Sequence, residues 1–146
     1  MGEVISSRRL TIKSFLGLPH PIVISTHKQN FFIALSDAGY QTICLNLPLA
    51  KALISRITYE SVSDITSVIL DLMPDSTSVY LTDFEILFDP KYNLNVIKLF
   101  CEISRRKKLV VQWCGIFNGE SLIFAEQGYE DYAKYKVSDY DIVCVN

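Results

Sequence analysis

The sequence predicts an α/β fold with a mostly parallel central sheet. Short β-branched runs read as buried strands, helix-period segments lie between them, and breakers such as Gly39, Pro48 and Pro74 punctuate the junctions. "PIVIST" (21–26) is the first predicted strand, and "NFFIALSDAG" (30–39) a helix that Gly39 is placed to cap. "YQTICLNL" (40–47) predicts a second strand, centred on 41–46, and Pro48 then opens a helix through "LAKALISRI". From Tyr59 to Met73, Val62, Ile65, Ile69 and Leu72 recur at helical spacing, and Pro74 stops the run.

"SVYLT" (78–82) is the third predicted strand. "NLNVIKLFCEISRR" (93–106) follows as a helix with Val96, Leu99, Phe100 and Ile103 on one face. "KLVVQW" (108–113) is the fourth strand, Gly115 and "FNGE" mark a turn, and "SLIFAE" (121–126) is another strand. "YEDYAKY" (129–135) reads as a short amphipathic helix or an irregular segment, and "DIVCV" (141–145) as the final strand. Repeats, low-complexity segments and linkers are lacking, so a single domain over 1–146 is expected.

A formal net charge of −2 disfavours attraction to nucleic acid by the molecule as a whole, though a local basic patch remains open. Apolar runs fall short of the roughly 18–20 residues of a membrane span. The segment "MGEVISSRRLTIKSFLGL" has neither the continuous apolar stretch nor the small-residue cleavage site of a secretory signal. Cys44, Cys101, Cys114 and Cys144 form no C-x-x-C pair, and His20 and His27 are not at metal-ligand spacing from them. Buried reduced thiols, no metal and a cytoplasmic location are therefore expected.

"SVYLTDFEILFDP" (78–90) carries the chemical question. Its strand runs straight into Thr82, Asp83 and Glu85, and acids just beyond a strand's C-terminal end are where a nucleotide's metal ion would sit. "FEILFDP" (84–90), "SRRKKLVVQWCG" (104–115) and "LIFAEQGYEDY" (122–132) occur in this order. Together they resemble the BrxF family, small P-loop-type proteins of type III BREX phage-defence systems. The resemblance implies a P-loop-NTPase-like three-layer sandwich and a place in anti-phage defence among other BREX proteins.

Against that pattern, three positions depart. A Walker A loop needs GxxxxGK[ST], whose glycines let backbone N–H groups close on the phosphates. Here the loop is "STHKQN" (25–30), with Lys28 as the only candidate phosphate lysine and Gln29 where a Mg²⁺-binding hydroxyl belongs. Thr82 takes the place of the Walker B aspartate, and Asp83 falls one residue later, where a continuing strand would turn it to the opposite face. Glu85 matches the family's glutamate, which in related NTPases polarises the attacking water; helix capping and surface charge are the bland alternative for Glu85 and Asp89. Cys114 stands where P-loop enzymes often place a phosphate sensor. The expected reading is a chain without nucleotide hydrolysis and without cofactor. If it were active, ATP and Mg²⁺ would engage Lys28 and Gln29, with Asp83 and Glu85 as catalytic groups.

Two surfaces complete the candidates. Arg105, Arg106, Lys107 and Lys108 are candidates for phosphate or DNA contact, or simply a solvated helix end favoured by the dipole. Trp113, Phe124, Tyr129, Tyr132 and Tyr135 are candidates for a protein interface, since Glu126, Glu130 and Asp131 between them disfavour nucleic acid. The preferred function is a non-catalytic adaptor acting through other BREX proteins; a divergent NTPase and a DNA-binding accessory are the alternatives. Self-association is left open.

Overall fold

The computed structural model describes residues 2–28, 30–54, 62–73 and 77–146. In chain order the elements are β1 (Glu3–Ile5), α1 (Ile12–Leu16), β2 (Ile22–Ile24), α2 (Phe32–Asp37), β3 (Gln41–Cys44), α3 (Asn46–Ile54) and α4 (Val62–Leu72). Then come β4 (Ser78–Thr82), α5 (Val96–Ile103), β5 (Lys108–Gln112), β6 (Ile116–Phe117), β7 (Ser121–Phe124), β8 (Ala133–Lys136) and β9 (Val143–Val145). Single 3₁₀ turns at Ser7–Arg9, Glu85–Phe88, Pro90–Tyr92 and Val137–Asp139 fill several of the connections.

Six strands form one sheet in the order β1-β9-β2-β5-β4-β3, every neighbouring pair parallel. Successive strand residues point to opposite faces, so the apolar runs feed two cores at once. Ile22, Ile24, Tyr80, Val110, Val143 and Val145 pack with Phe15, Phe31 and Leu35, from the segments around α1 and α2. Val23, Val79, Leu81, Leu109, Val111 and Cys144 face the other way, onto α3, α4 and α5. Helices thus cover both faces of a parallel sheet, the layered α/β arrangement the sequence predicts.

Local chemistry sets the helix starts. Asn95 accepts a hydrogen bond from Lys98 N at 3.1 Å and opens α5, whose Val96, Ile97, Leu99, Phe100 and Ile103 are all buried. Thr11 does the same for α1 by accepting from Ser14 N. Asp89 accepts from Lys91 N at 3.1 Å ahead of Pro90, so its capping role is real.

The structure departs from the sequence reading at both ends of the chain. β1 and α1 were not expected; β1 is short and half exposed, and only pairing with β9 makes it a strand. Of the two readings of 129–135, the irregular one holds over 129–132, and the helix does not form. Tyr129 and Tyr132 lie in turns, and Ala133–Lys136 is β8, antiparallel to β7 with Leu122 opposite Tyr135. The three-residue spacing of the tyrosines imitates a helix, whereas burial along β8 has the period of a strand: Tyr135 in, Lys134 and Lys136 out. β6, β7 and β8 make a second, antiparallel sheet. Its turn is the expected one: Gly119 has φ +99°, and Asn118 Oδ1 accepts from Glu120 N and Ser121 N. The expected helices through 49–57 and 59–73 are seen as α3 and α4, and residues 55–61 lie outside the described ones.

Candidate functional site

The carboxyl ends of the parallel strands gather most of the chemistry-bearing side chains on one edge. β4 ends at Thr82, whose hydroxyl donates to Cys44 Sγ at 3.3 Å. The next residue, Asp83, has φ +49°, a left-handed conformation that aspartate tolerates better than most residues. That turn re-aims Asp83 away from the strand's alternation and lets Phe84 enter the core, where it is fully buried. Glu85 then meets Asn46, the first residue of α3: the Asn46 amide donates to Glu85 Oε2, and Asn46 Oδ1 accepts from Ile86 N at 2.9 Å. Cys114, just past β5, completes the group. Its thiol is pushed up to about 12, by burial first and then by the charge of Glu85, with Asp83 adding to it. It is a neutral thiol beside carboxylates, poorly suited to sensing phosphate.

Lys28 stands elsewhere. It lies in the glycine-free loop after β2, where Lys28 N donates to Thr26 Oγ1 at 3.1 Å. The cavity it lines is shared with Ser6, Ser7, Arg8, Thr26 and Asn146, and includes neither Asp83 nor Glu85. Between the two groups runs the topological switch. The chain leaves β2 over the α2 face and leaves β5 over the opposite one, and the crevice between such strands is where open α/β sheets usually take a ligand. Here Gln112 bridges it, donating to Ile24 O at 3.2 Å and Thr26 O at 3.4 Å while accepting from the Tyr80 hydroxyl at 3.3 Å. Gln29 lies outside the described residues. Lys28 and Glu85 line different cavities, and the glutamate already accepts from Asn46. Among the described residues no set of three or more His, Cys, Asp or Glu side chains is placed to hold a metal.

Only part of the aromatic surface expected of an interface reaches the surface. Trp113 is 0 % exposed and packs against Phe84, Phe88 and Tyr135, with its indole N–H donating to Ile123 O at 3.1 Å. Tyr135 is 8 % exposed, and its hydroxyl accepts from Val96 N. These two are core residues joining the small sheet to α5, a correction to the expectation that they face a partner. Phe124 is half-buried and stacked on Phe88 with centroids 3.9 Å apart. Tyr129, 65 % exposed, remains on the rim with Tyr132. A groove of about 670 Å³ opens beside Tyr129, floored by Ile86, Phe88 and Pro90 and bearing Glu85, Asp89, Glu130 and Asp131. Sequence spacing did not reveal this groove, since it joins the turn after β4 to the loop after β7.

The basic run 105–108 sits at the start of β5, the opposite end of the sheet from Lys28, Asp83 and Glu85. It therefore cannot serve a nucleotide on the carboxyl edge. His20 is near this end too. It shares a 2.8 Å hydrogen bond with the Tyr40 hydroxyl, and burial, then the charge of Lys108, lowers its pKa. The thiols also divide: Cys144 is buried as expected, while Cys44 is exposed, because the last residues of edge strand β3 have no further strand beyond them. Among the described residues no helix is long and apolar enough to cross a membrane. No protein-family model matches the chain, and neither a curated protein nor a solved structure shows significant similarity to it.

Proposed function

We propose that this chain is a P-loop-like subunit without nucleotide hydrolysis, working in the cytoplasm as a protein-binding component of a BREX-type phage-defence system. The carrying observation is that Glu85 is held by Asn46 while Gln112 ties the end of β5 to Ile24 O and Thr26 O, beside a loop without glycine. A scaffold of this kind keeps its core and surfaces when its phosphate chemistry is gone. The motif resemblance in 84–90, 104–115 and 122–132 supports the defence setting.

The groove beside Tyr129 supports a protein partner over nucleic acid. Its four carboxylates repel phosphate, and its apolar floor suits a basic segment of a partner carrying one apolar or aromatic anchor. Tyr129 is the side-chain type that buries large area at low entropic cost on docking. Affinity purification from a host carrying the defence genes tests this. Tyr129→Ala with Tyr132→Ala is expected to keep the melting temperature nearly unchanged while losing both co-purifying partners and phage protection. A stable double mutant that still assembles and protects overturns the contact face. Flanking PglZ-type, methyltransferase and large ATPase genes are expected beside the coding gene.

A further inference from the structure

The cavity on the far side of β2 from the acids has a chemistry of its own. Three strands end around it: β1 at Ile5, β9 at Val145 and β2 at Ile24. Backbone hydrogen bonds stitch those ends together, Ser7 N to Asn146 O at 2.7 Å, Asn146 N to Ile5 O at 3.0 Å and Ser25 N to Val145 O at 2.9 Å. Ser25 Oγ donates to Asn146 Oδ1 at 3.2 Å and fixes that side chain as well. The floor is thus held by the sheet rather than by a free loop.

Ser6, Ser7, Arg8, Thr26, Lys28 and Asn146 line about 280 Å³. Ser7 and Thr26 are 6 % and 7 % exposed, whereas Arg8 and Lys28 reach in from the solvent side. The lining offers two cations and three hydroxyls, and none of its side chains is a carboxylate. Two cations at the mouth of one small polar cavity favour an anion there, with solvent screening part of the attraction. A metal cation is disfavoured there for the same reason. The volume lies below the range typical of whole drug-sized ligands, and suits a single tetrahedral group.

We propose that this cavity binds a small phosphate oxyanion, inorganic phosphate or the end of a small phosphomonoester, without metal. Arg8 supplies the planar fork that pairs with two oxygens, Lys28 a point charge, and the hydroxyls short donors. It differs from a phosphate loop in using side chains from two chain segments, where a phosphate loop uses glycine backbone. It also stands apart from the adaptor reading, because neither Tyr129 nor the acidic groove takes part.

The test is calorimetry and thermal unfolding of the full chain in EDTA, with inorganic phosphate titrated against chloride at matched ionic strength. Saturable binding and a phosphate-specific rise in melting temperature are expected. Arg8→Gln and Lys28→Gln should each weaken binding by at least about tenfold. Lys98→Gln, on the exposed side of α5, should leave it unchanged. Glycerol phosphate in a parallel titration separates the two sources: tighter binding than inorganic phosphate identifies the ester as the ligand, and weaker binding identifies the free ion. Stabilisation no greater than chloride's, or equal phosphate binding by wild type, Arg8→Gln and Lys28→Gln, overturns the site while leaving the protein-binding role untouched.

Discussion

Asn46 clamps Glu85. Its side-chain amide donates to the Glu85 carboxylate and its carbonyl oxygen accepts from Ile86 N, while Asn46 N donates to Asp83 O at 2.7 Å. One residue at the start of α3 thereby holds the whole turn after β4, and the glutamate that motif position marks for catalysis serves as a structural acceptor. Asn46→Ala removes both side-chain bonds, one of them to a charged group, and should cost about 2 kcal/mol in urea unfolding. A loss below about 0.5 kcal/mol, the level of an ordinary surface substitution, would show that the clamp contributes nothing.

Nucleotide binding is the second expectation. Calorimetry with ATP or GTP and Mg²⁺ should give no saturable isotherm in the micromolar range. Thr82→Asp should not create hydrolysis, because the loop at 25–30 still lacks its glycine cradle and Gln112 still spans the crevice. A Mg²⁺-dependent micromolar isotherm that Lys28→Ala abolishes would establish the divergent NTPase instead.

Packing around Trp113 supplies a third. Trp113→Ala empties a fully buried aromatic site and removes the indole bond to Ile123 O, so a loss of about 3–5 kcal/mol is expected. Gly115→Ala is as informative, because a Cβ there would stand 1.9 Å from Ile123 O. Tyr129→Ala should change stability by no more than about 0.5 kcal/mol. Equal losses for Trp113 and Tyr129 in denaturant titrations would contradict the division between core and rim.

Thiol chemistry gives a fourth. Cys44 is exposed and should alkylate first in the native protein, with half-buried Cys114 slower and Cys144 protected until unfolding. Burial pushes Cys114 up to about 12 and Cys144 up to about 11, the latter opposed by its hydrogen bond to Ser25. Both shifts raise the folded-state value above that of the unfolded thiol, near 9. From about pH 9 upward the unfolded chain therefore binds fewer protons than the folded one, and stability falls as pH rises towards the folded values. Cys114→Ser with Cys144→Ser should flatten that alkaline loss, read from melting temperatures between about pH 8 and 11. Labelling of Cys114 as fast as Cys44 at pH 8, followed by mass spectrometry, would contradict the burial.

Much of this molecule was determined by the sequence itself. β2, β3, β4, β5 and β9 fall within their predicted stretches, and α2 and α5 within theirs, because buried parallel strands and amphipathic helices write their periods into consecutive residues. The glycine-free loop and the displaced acid were equally legible, since both are local facts of residue type. Tertiary structure decided the rest. β1 is a strand only because β9 lies beside it, and Ala133–Lys136 only because β7 pairs with it. Trp113 and Tyr135 carry polar handles that suit an interface as well as a core, and their partners, Ile123 O and Val96 N, lie on other elements. Nor does spacing place Arg8 beside Lys28, or Glu85 beside Asn46 and away from that lysine. Such pairings depend on strand order and on which face each connection crosses, and these are settled by contacts between residues far apart in the chain.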